Sequence, residues 1–357
     1  MSAGPNTQSF VSEVVGVGKF LPPRIVKNEE LRDLMDTSDE WIRQRTGIEQ
    51  RHWVNPNDAK MSSTAALAHE ASLLAIESAS KARDFKKEDI DLIVFATLSP
   101  DHLFPGSACF LQQKLGLPEI PALDVRQQCS GFLYALSVAD QFIKTGQSKN
   151  VLVVGSEVHS VGLDKTPRGR DVSVLFGDGA GAVILTRKAF EETDADSSKE
   201  SRILSTHLHA DGRFAKELWI ESPGTGVEEP EWLTHEMMET GRVYPQMNGK
   251  TVFLHATKRM PEAIREAVES NGYTIDDVDC FIFHQANLRI NEMVAKQLKI
   301  PSEKVFNTIQ KYANTTAATI PIGICDALEV GKIKKGDLVA CAAFGSGFTW
   351  ASALIRW

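Results

Sequence analysis

The chain has 357 residues, of which 42% are hydrophobic and 24% charged. That is ordinary for a soluble globular protein and enough for a large core, in one domain or two halves. A net charge of −8 argues against nucleic acid as the main partner, because phosphate binding needs a basic footprint. No apolar run reaches the roughly 18 residues of a spanning helix. The start, Met1-Ser2-Ala3-Gly4-Pro5-Asn6, lacks the charged and apolar regions of a signal peptide, so no membrane association is expected.

In chain order, the first alanine-rich helical pattern runs from Thr64 to Lys81. A charged turn and a short apolar run follow, Glu88-Asp89-Ile90-Asp91-Leu92-Ile93-Val94-Phe95, the pattern of a strand buried on both faces. Asp124 to Phe132 then leads into the apolar-periodic helix Leu133 to Ile143 and carries Cys129 at the bend. Asn150 to Gly155 is a second buried strand. Phe176-Gly177-Asp178-Gly179-Ala180-Gly181 follows it, without the spacing or the Lys-Ser/Thr of a phosphate loop, and reads as a turn packed against other backbone. The acidic stretch Lys188 to Ser201 is a natural boundary. Ser222 to Gly249 is a long irregular stretch whose Trp232, Met237, Met238 and Tyr244 predict an ordered lid or interface element.

The second half repeats the first. A helical pattern, Thr257 to Ser270, precedes Asp276-Asp277-Val278-Asp279-Cys280-Phe281-Ile282-Phe283, which matches Glu88 to Phe95 at an offset of 188. Asp337 to Ala342 matches Asn150 to Gly155 at an offset of 187. Short buried strands alternating with helices predict an α/β protein with mainly parallel sheets covered on both faces. The expected units are an N-terminal half, 1–190, and a C-terminal half, 200–357, with ligands at the strand ends where such folds bind them.

Three polar residues stand where an apolar strand gives way to a turn or helix: Cys129, His284 in His284-Gln285-Ala286-Asn287, and Asn314 in Asn314-Thr315-Thr316-Ala317-Ala318. A thiol, an imidazole and a carboxamide supply a nucleophile, a proton handler and a donor, enough for acyl transfer. The helix dipole is expected to favour the Cys129 thiolate, and Gly131 to permit a tight turn. His284 and Asn314 would donate to a thioester carbonyl and stabilise an enolate. Phe344-Gly345-Ser346-Gly347-Phe348 follows a strand, so the amides of Cys129 and Ser346 are the expected oxyanion hole.

The other four cysteines, Cys109, Cys280, Cys325 and Cys341, form no C-x-x-C pair. They read as small buried hydrophobes in a reduced, cytoplasmic protein. His207 and His209 alternate along a strand but have no third ligand nearby, so no metal site is expected. His52, His69, His102, His159, His235 and His255 read as surface or capping residues.

With these residues in place the chain resembles β-ketoacyl-acyl-carrier-protein synthase III, the initiating condensing enzyme of type II fatty-acid synthesis. The resemblance rests on Asp39-Glu40-Trp41-Ile42 with Arg45-Thr46-Gly47-Ile48, Phe104-Pro105, Cys129-Ser130-Gly131-Phe132, Phe176 to Gly181, Leu208-His209-Ala210-Asp211-Gly212, His284 to Arg289, Asn314 to Ala318 and Phe344 to Trp350. It implies a thiolase-type fold of duplicated βαβαβαββ halves in five αβαβα layers, a homodimer, and Cys129, His284 and Asn314 as the triad. The substrates it implies are an acyl-coenzyme A and a malonyl-loaded acyl carrier protein, with no further cofactor. Trp41 would stack on the coenzyme A adenine, Arg45 would meet its phosphates, and Arg168 or Arg170 would complete that clamp. Phe104 would reach the partner's acyl tunnel, Phe176, Phe253 and Phe344 would line the local pocket, and Arg289 and Lys296 would meet the carrier.

The chain departs from the family pattern in Arg126-Gln127-Gln128 before the nucleophile, Ser346 in place of a glycine, Leu254 in place of a lysine, and the long 222–249 stretch. An ester- or amide-forming acyltransferase, or an inactive partner subunit, are the alternatives on the same scaffold. A thiolase would need a second cysteine where Ala343 stands, and the inactive subunit would lack triad members that are present here.

Overall fold

The computed structural model describes residues 9–58, 60–190, 200–226 and 231–357. Most of the predicted boundary loop, 191–199, lies outside them.

Two five-stranded sheets dominate. The first has the spatial order Ser9–Phe20, Gly179–Phe190, Asn150–Glu157, Leu92–Ala96, Ala122–Val125. The second runs Val305–Phe306, Cys280–Phe283, Leu338–Gly345, Thr349–Arg356, Arg202–Ala210. In the first sheet Asn150–Glu157, Leu92–Ala96 and Ala122–Val125 are parallel, and Gly179–Phe190 and Ser9–Phe20 add on by antiparallel pairs. In the second Val305–Phe306, Cys280–Phe283 and Leu338–Gly345 are parallel, and Thr349–Arg356 and Arg202–Ala210 add on by antiparallel pairs. Along the chain the major elements of each half follow strand, helix, strand, helix, strand, helix, strand, strand, the predicted βαβαβαββ order.

Leu92, Ile93, Val94, Phe95 and Ala96 are all fully buried, as are Cys280, Phe281, Ile282 and Phe283. Such strands must be covered on both faces, which is why they read as continuous apolar runs. The helices Gly131–Lys144 and Thr319–Glu329 lie between the sheets, where Leu133, Leu136, Ile143, Ile320 and Ile324 join Val94, Val153, Ile282 and Val339 in one core. Thr64–Ala82 and Ser107–Leu115 cover the outer face of the first sheet, and Gly249–Glu269 and Leu288–Leu298 that of the second. The result is a five-layered αβαβα stack.

Strand registers sharpen the repeat. Leu92 pairs with Val151 and Cys280 with Val339, so both strand pairs keep the single offset of 188, not 188 and 187. The helix predicted from Thr257 begins at Gly249, because the Asn248 side chain caps it by accepting from the Thr251 N–H. The described 231–249 part of the long stretch before it carries regular structure. It contains the helix His235–Glu239, and Gln246–Met247 pairs antiparallel with Leu218–Trp219. No helix among the described residues is long and apolar enough to cross a membrane.

Candidate active site

Cys129 sits on a 3-10 turn, Gln128–Ser130, between the strand Ala122–Val125 and the helix Gly131–Lys144. The strained residue of this elbow is Gln128, at φ +45°. Gly131, expected to relieve the turn, has an ordinary helical φ of −55°. Close approach is required at Gly131, where an added Cβ would come within 3.3 Å of the Ala96 Cβ, and more tightly at Gly345, where it would come within 2.8 Å of the Cys129 Cβ. The glycine loop after Leu338–Gly345 is thereby pressed against the nucleophile. The backbone N–H groups of Cys129 and Ser346 favour the charged form of the sulfur.

Cys129 is 8% exposed. Burial, with the nearby Glu157 carboxylate adding to it, pushes its pKa up to about 12, against the weaker pull of the two N–H groups. Against the thiolate expected from the helix dipole, burial acts to keep the resting thiol protonated. Glu157 is itself raised to about 7 by burial. It accepts from the Thr97 hydroxyl, the Leu98 and Ser99 N–H groups, the Ser99 hydroxyl and the Ala317 N–H, tying the first half to the loop that carries Asn314.

His284 leaves the end of Cys280–Phe283 and is 3% exposed. Burial lowers its pKa to about 3, so the ring is neutral. Its Nδ1 lies 2.8 Å from the Thr319 Oγ1, and its buried Nε2 has no protein partner. Asn314 is 4% exposed. Its Oδ1 accepts from the Thr316 N–H at 2.8 Å, which fixes the amide and leaves the Nδ2 donors for the cavity.

Cys129, His284 and Asn314 line one cavity of about 500 Å³. Phe176, Phe253 and Phe344 form apolar wall, together with Val174, Leu175, Leu218 and Met247. Trp41, Arg45, Lys250, Asn287 and Arg289 supply the aromatic, polar and cationic lining. Nucleophile, two neutral donors and a route to solvent with three cations suit a long ligand whose reactive end is a thioester and whose far end is anionic.

Comparison with known proteins agrees with this arrangement. The family patterns described as 3-oxoacyl-[acyl-carrier-protein] synthase III and its C-terminal region match residues 123–212 and 268–357. A β-ketoacyl-[acyl-carrier-protein] synthase III of Xanthomonas euvesicatoria is 44% identical over 351 residues, covering 98% of this chain and 100% of its own. One from Ehrlichia canis is 42% identical over 345 residues, covering 97% and 99%. The chain belongs to the β-ketoacyl-acyl-carrier-protein synthase III family. The crystal structure of the Aquifex aeolicus 3-oxoacyl-[acyl-carrier-protein] synthase III superimposes with a TM-score of 0.83 at 38% identity, covering 97% of this chain and 100% of that one. The thiolase-type fold and the class of acyl-transferring condensing enzyme follow.

Other sequence expectations for this synthase divide. Of the two arginines left open, Arg170 sits with its guanidinium 5.2 Å from the Trp41 ring centroid, beside Arg45 at 4.5 Å. Both are engaged by protein groups: Arg170 donates to Asp171 and to the Asp36 carbonyl, and Arg168 donates to Asp164 and to the Glu239 carbonyl and packs on Gly241. Phe104 does not join the cavity of its own chain and is 86% exposed. Arg289 is at the cavity and donates to the Gln44 carbonyl. Lys296 lies two turns further along Leu288–Leu298, about 10 Å away on the same face, and is exposed.

Two readings are overturned. His159 is not a surface residue. It is 6% exposed, its Nε2 is 2.6 Å from the Thr316 Oγ1, and its ring packs on Phe176. Cys109 is exposed, unlike the other three structural cysteines, because it lies on the outer side of Ser107–Leu115. The glycine-rich stretch does pack on backbone: a Cβ at Gly177 would lie 2.4 Å from the Tyr312 carbonyl oxygen. His207 and His209 both face Glu266, and no group of three candidate ligands among the described residues could hold a metal ion. Lys250, Thr316 and Thr319 escaped sequence reasoning. The two threonines follow Asn314 closely enough to have been suspected; nothing in the sequence marks Lys250.

Proposed function

We propose that this protein primes fatty-acid or related chain synthesis by decarboxylative Claisen condensation. An acyl-coenzyme A and a malonyl-acyl-carrier protein give 3-oxoacyl-carrier protein, coenzyme A and CO2. The halves 1–190 and 200–357 contribute the nucleophile and the two donors respectively. In the first step the Cys129 sulfur attacks the thioester carbonyl, the tetrahedral oxyanion sits against the Cys129 and Ser346 N–H groups, and the thiol proton ends on departing coenzyme A. Because the resting thiol is protonated, those two N–H groups and the helix N-terminus act on charge as it develops.

In the second step the malonyl carbonyl accepts from the His284 Nε2–H and the Asn314 Nδ2. Loss of CO2 leaves an enolate on that oxygen, and its carbon attacks the acyl-Cys129 carbonyl. Collapse expels the Cys129 thiolate, which takes up a proton. No base strong enough to deprotonate carbon is needed, since decarboxylation supplies the carbanion, and the reading requires no group beyond the two thioesters.

Trp41, Arg45 and Arg170 are assigned to the nucleotide end of coenzyme A. Phe176, Phe253 and Phe344 are assigned to the acyl group, and Arg289 and Lys296 to the acidic carrier. The enzyme is a cytoplasmic homodimer in this reading, with exposed Phe104 offered to its partner. The observation that carries the proposal is the meeting of thiol, imidazole and carboxamide in one cavity with a cationic lining.

The test is intact-protein mass after incubation with acyl-coenzyme A from acetyl to dodecanoyl, followed by malonyl-carrier protein. An adduct on Cys129 that malonyl-carrier protein discharges as a 3-oxoacyl product establishes the reaction and names the primer. An adduct it cannot discharge points to an ester- or amide-forming acceptor. No adduct from any coenzyme A thioester overturns the first step.

A further inference from the structure

The hydroxyl behind His284 has two acceptors within reach and one proton to give. Thr319 Oγ1 lies 2.8 Å from His284 Nδ1 and 2.9 Å from the Thr316 carbonyl oxygen. If its proton goes to the carbonyl, Oγ1 can only accept, so Nδ1 must carry the imidazole proton and Nε2 presents a lone pair. If its proton goes to Nδ1, the imidazole proton sits on Nε2, which becomes a donor. The ring is neutral and buried, its Nε2 has no protein partner, and the residue lines the cavity. The orientation of one hydroxyl therefore decides whether the atom offered to the substrate donates or accepts.

Thr319 is 2% exposed and opens the helix Thr319–Glu329, so its rotamer is held by packing and only its proton is free to turn. We propose that Thr319 is a positioning residue that selects the His284 tautomer, donating its hydroxyl proton to Nδ1 so that Nε2–H is available to the enolate oxygen. An oxygen gaining negative charge beside Nε2 favours that arrangement, and the Thr316 carbonyl gives up its hydroxyl partner as it forms. The inference rests on the role given to His284 above. It predicts that the decarboxylating step depends on Thr319 and that acyl transfer to Cys129 does not.

The experiment compares Thr319→Val, Thr319→Ser and His284→Ala in two separate assays, acyl-Cys129 formation and decarboxylation of malonyl-carrier protein. Thr319→Val is expected to slow decarboxylation about tenfold, less than deleting the donor itself, with acyl transfer within about threefold. Thr319→Ser restores both. The ¹⁵N spectrum of histidine-labelled protein with a non-decarboxylating malonyl thioester analogue should show Nε2–H in the parent and a mixture of tautomers in Thr319→Val. Equal loss of both reactions in Thr319→Val, a Ser variant as slow as the Val variant, or an unchanged tautomer would overturn the inference. If His284→Ala itself decarboxylates normally, the role of His284 falls instead. If that variant is slow while Thr319→Val is not, only the role of Thr319 is lost.

Discussion

The turn Gln128–Ser130 and the turn Thr316–Ala318 stand 188 residues apart and have the same build. Each is a 3-10 turn leading directly into a helix, at Gly131 and at Thr319, and each opens on a non-glycine residue of positive φ, +45° at Gln128 and +48° at Thr316. At the middle position one holds Cys129 and the other Ala317. The first elbow presents the proposed nucleophile. The second has become a scaffold: the Thr316 N–H holds Asn314, its hydroxyl meets His159, and its carbonyl accepts from Thr319. Duplication of a backbone shape does not duplicate its chemistry. The same bend that exposes one side chain to substrate can, in the copy, orient the donors that act on that side chain's product.

The comparison breaks first at the nucleophile. Cys129→Ala should abolish acyl transfer and condensation together, by at least about 10³-fold, seen as loss of the acyl adduct by mass. Next come the donors held by the second elbow. Asn314→Ala is expected to lower condensation on the order of 10²-fold while keeping most acyl transfer, and equal loss of both partial rates would remove it from the enolate site.

A third prediction concerns pH. With the Cys129 thiol raised to about 12, the thiolate fraction grows tenfold per pH unit below that value. Alkylation of Cys129 by iodoacetamide should therefore climb steadily through neutral and mildly alkaline pH. With His284 lowered to about 3, any inflection near neutrality belongs to Glu157, raised to about 7 beside the thiol, and a plateau beginning there would contradict the Cys129 shift.

The smallest effects separate the two elbows by stability. Gln128→Gly relieves a left-handed conformation at a residue whose side chain makes one exposed hydrogen bond, to the Arg126 carbonyl. It should stabilise by roughly 0.5 kcal/mol, the strain relieved less the added chain entropy. Thr316→Gly relieves similar strain but leaves the buried His159 Nε2 without its hydroxyl, at a cost of about 1–3 kcal/mol, and should lower the melting temperature. Opposite signs in a denaturation series would support the contrast, and equal signs would remove it.

What the sequence disclosed follows from what leaves a periodic trace. Buried parallel strands read as unbroken apolar runs, so both sheets, the repeat and the order of elements were legible. His284 was legible because it interrupts such a run at its end, and Cys129 and Asn314 because each stands just ahead of an apolar helical pattern. The resting charge of Cys129 was not, since burial depends on Gly345 and Glu157 arriving from distant segments. Nor was the burial of His159, whose partners Thr316 and Phe176 come from outside its own segment. Nor were the partners of Arg168 and Arg170 legible, since Glu239 and Gly241 on one side and Asp36 and the Trp41 ring on the other come from distant segments.

The enclosure of Cys129 also bears on how the protein meets oxidants. Peroxide attacks thiolates, and susceptibility follows ionisation together with access. A sulfur that stays protonated and almost shut off from solvent resists sulfenic acid formation in the intervals between substrates. Cys109, exposed on an outer helix, is the thiol that solvent-borne reagents reach first, and it does not line the cavity. Oxidative damage to this enzyme should accordingly leave a mark on its surface well before it costs turnover.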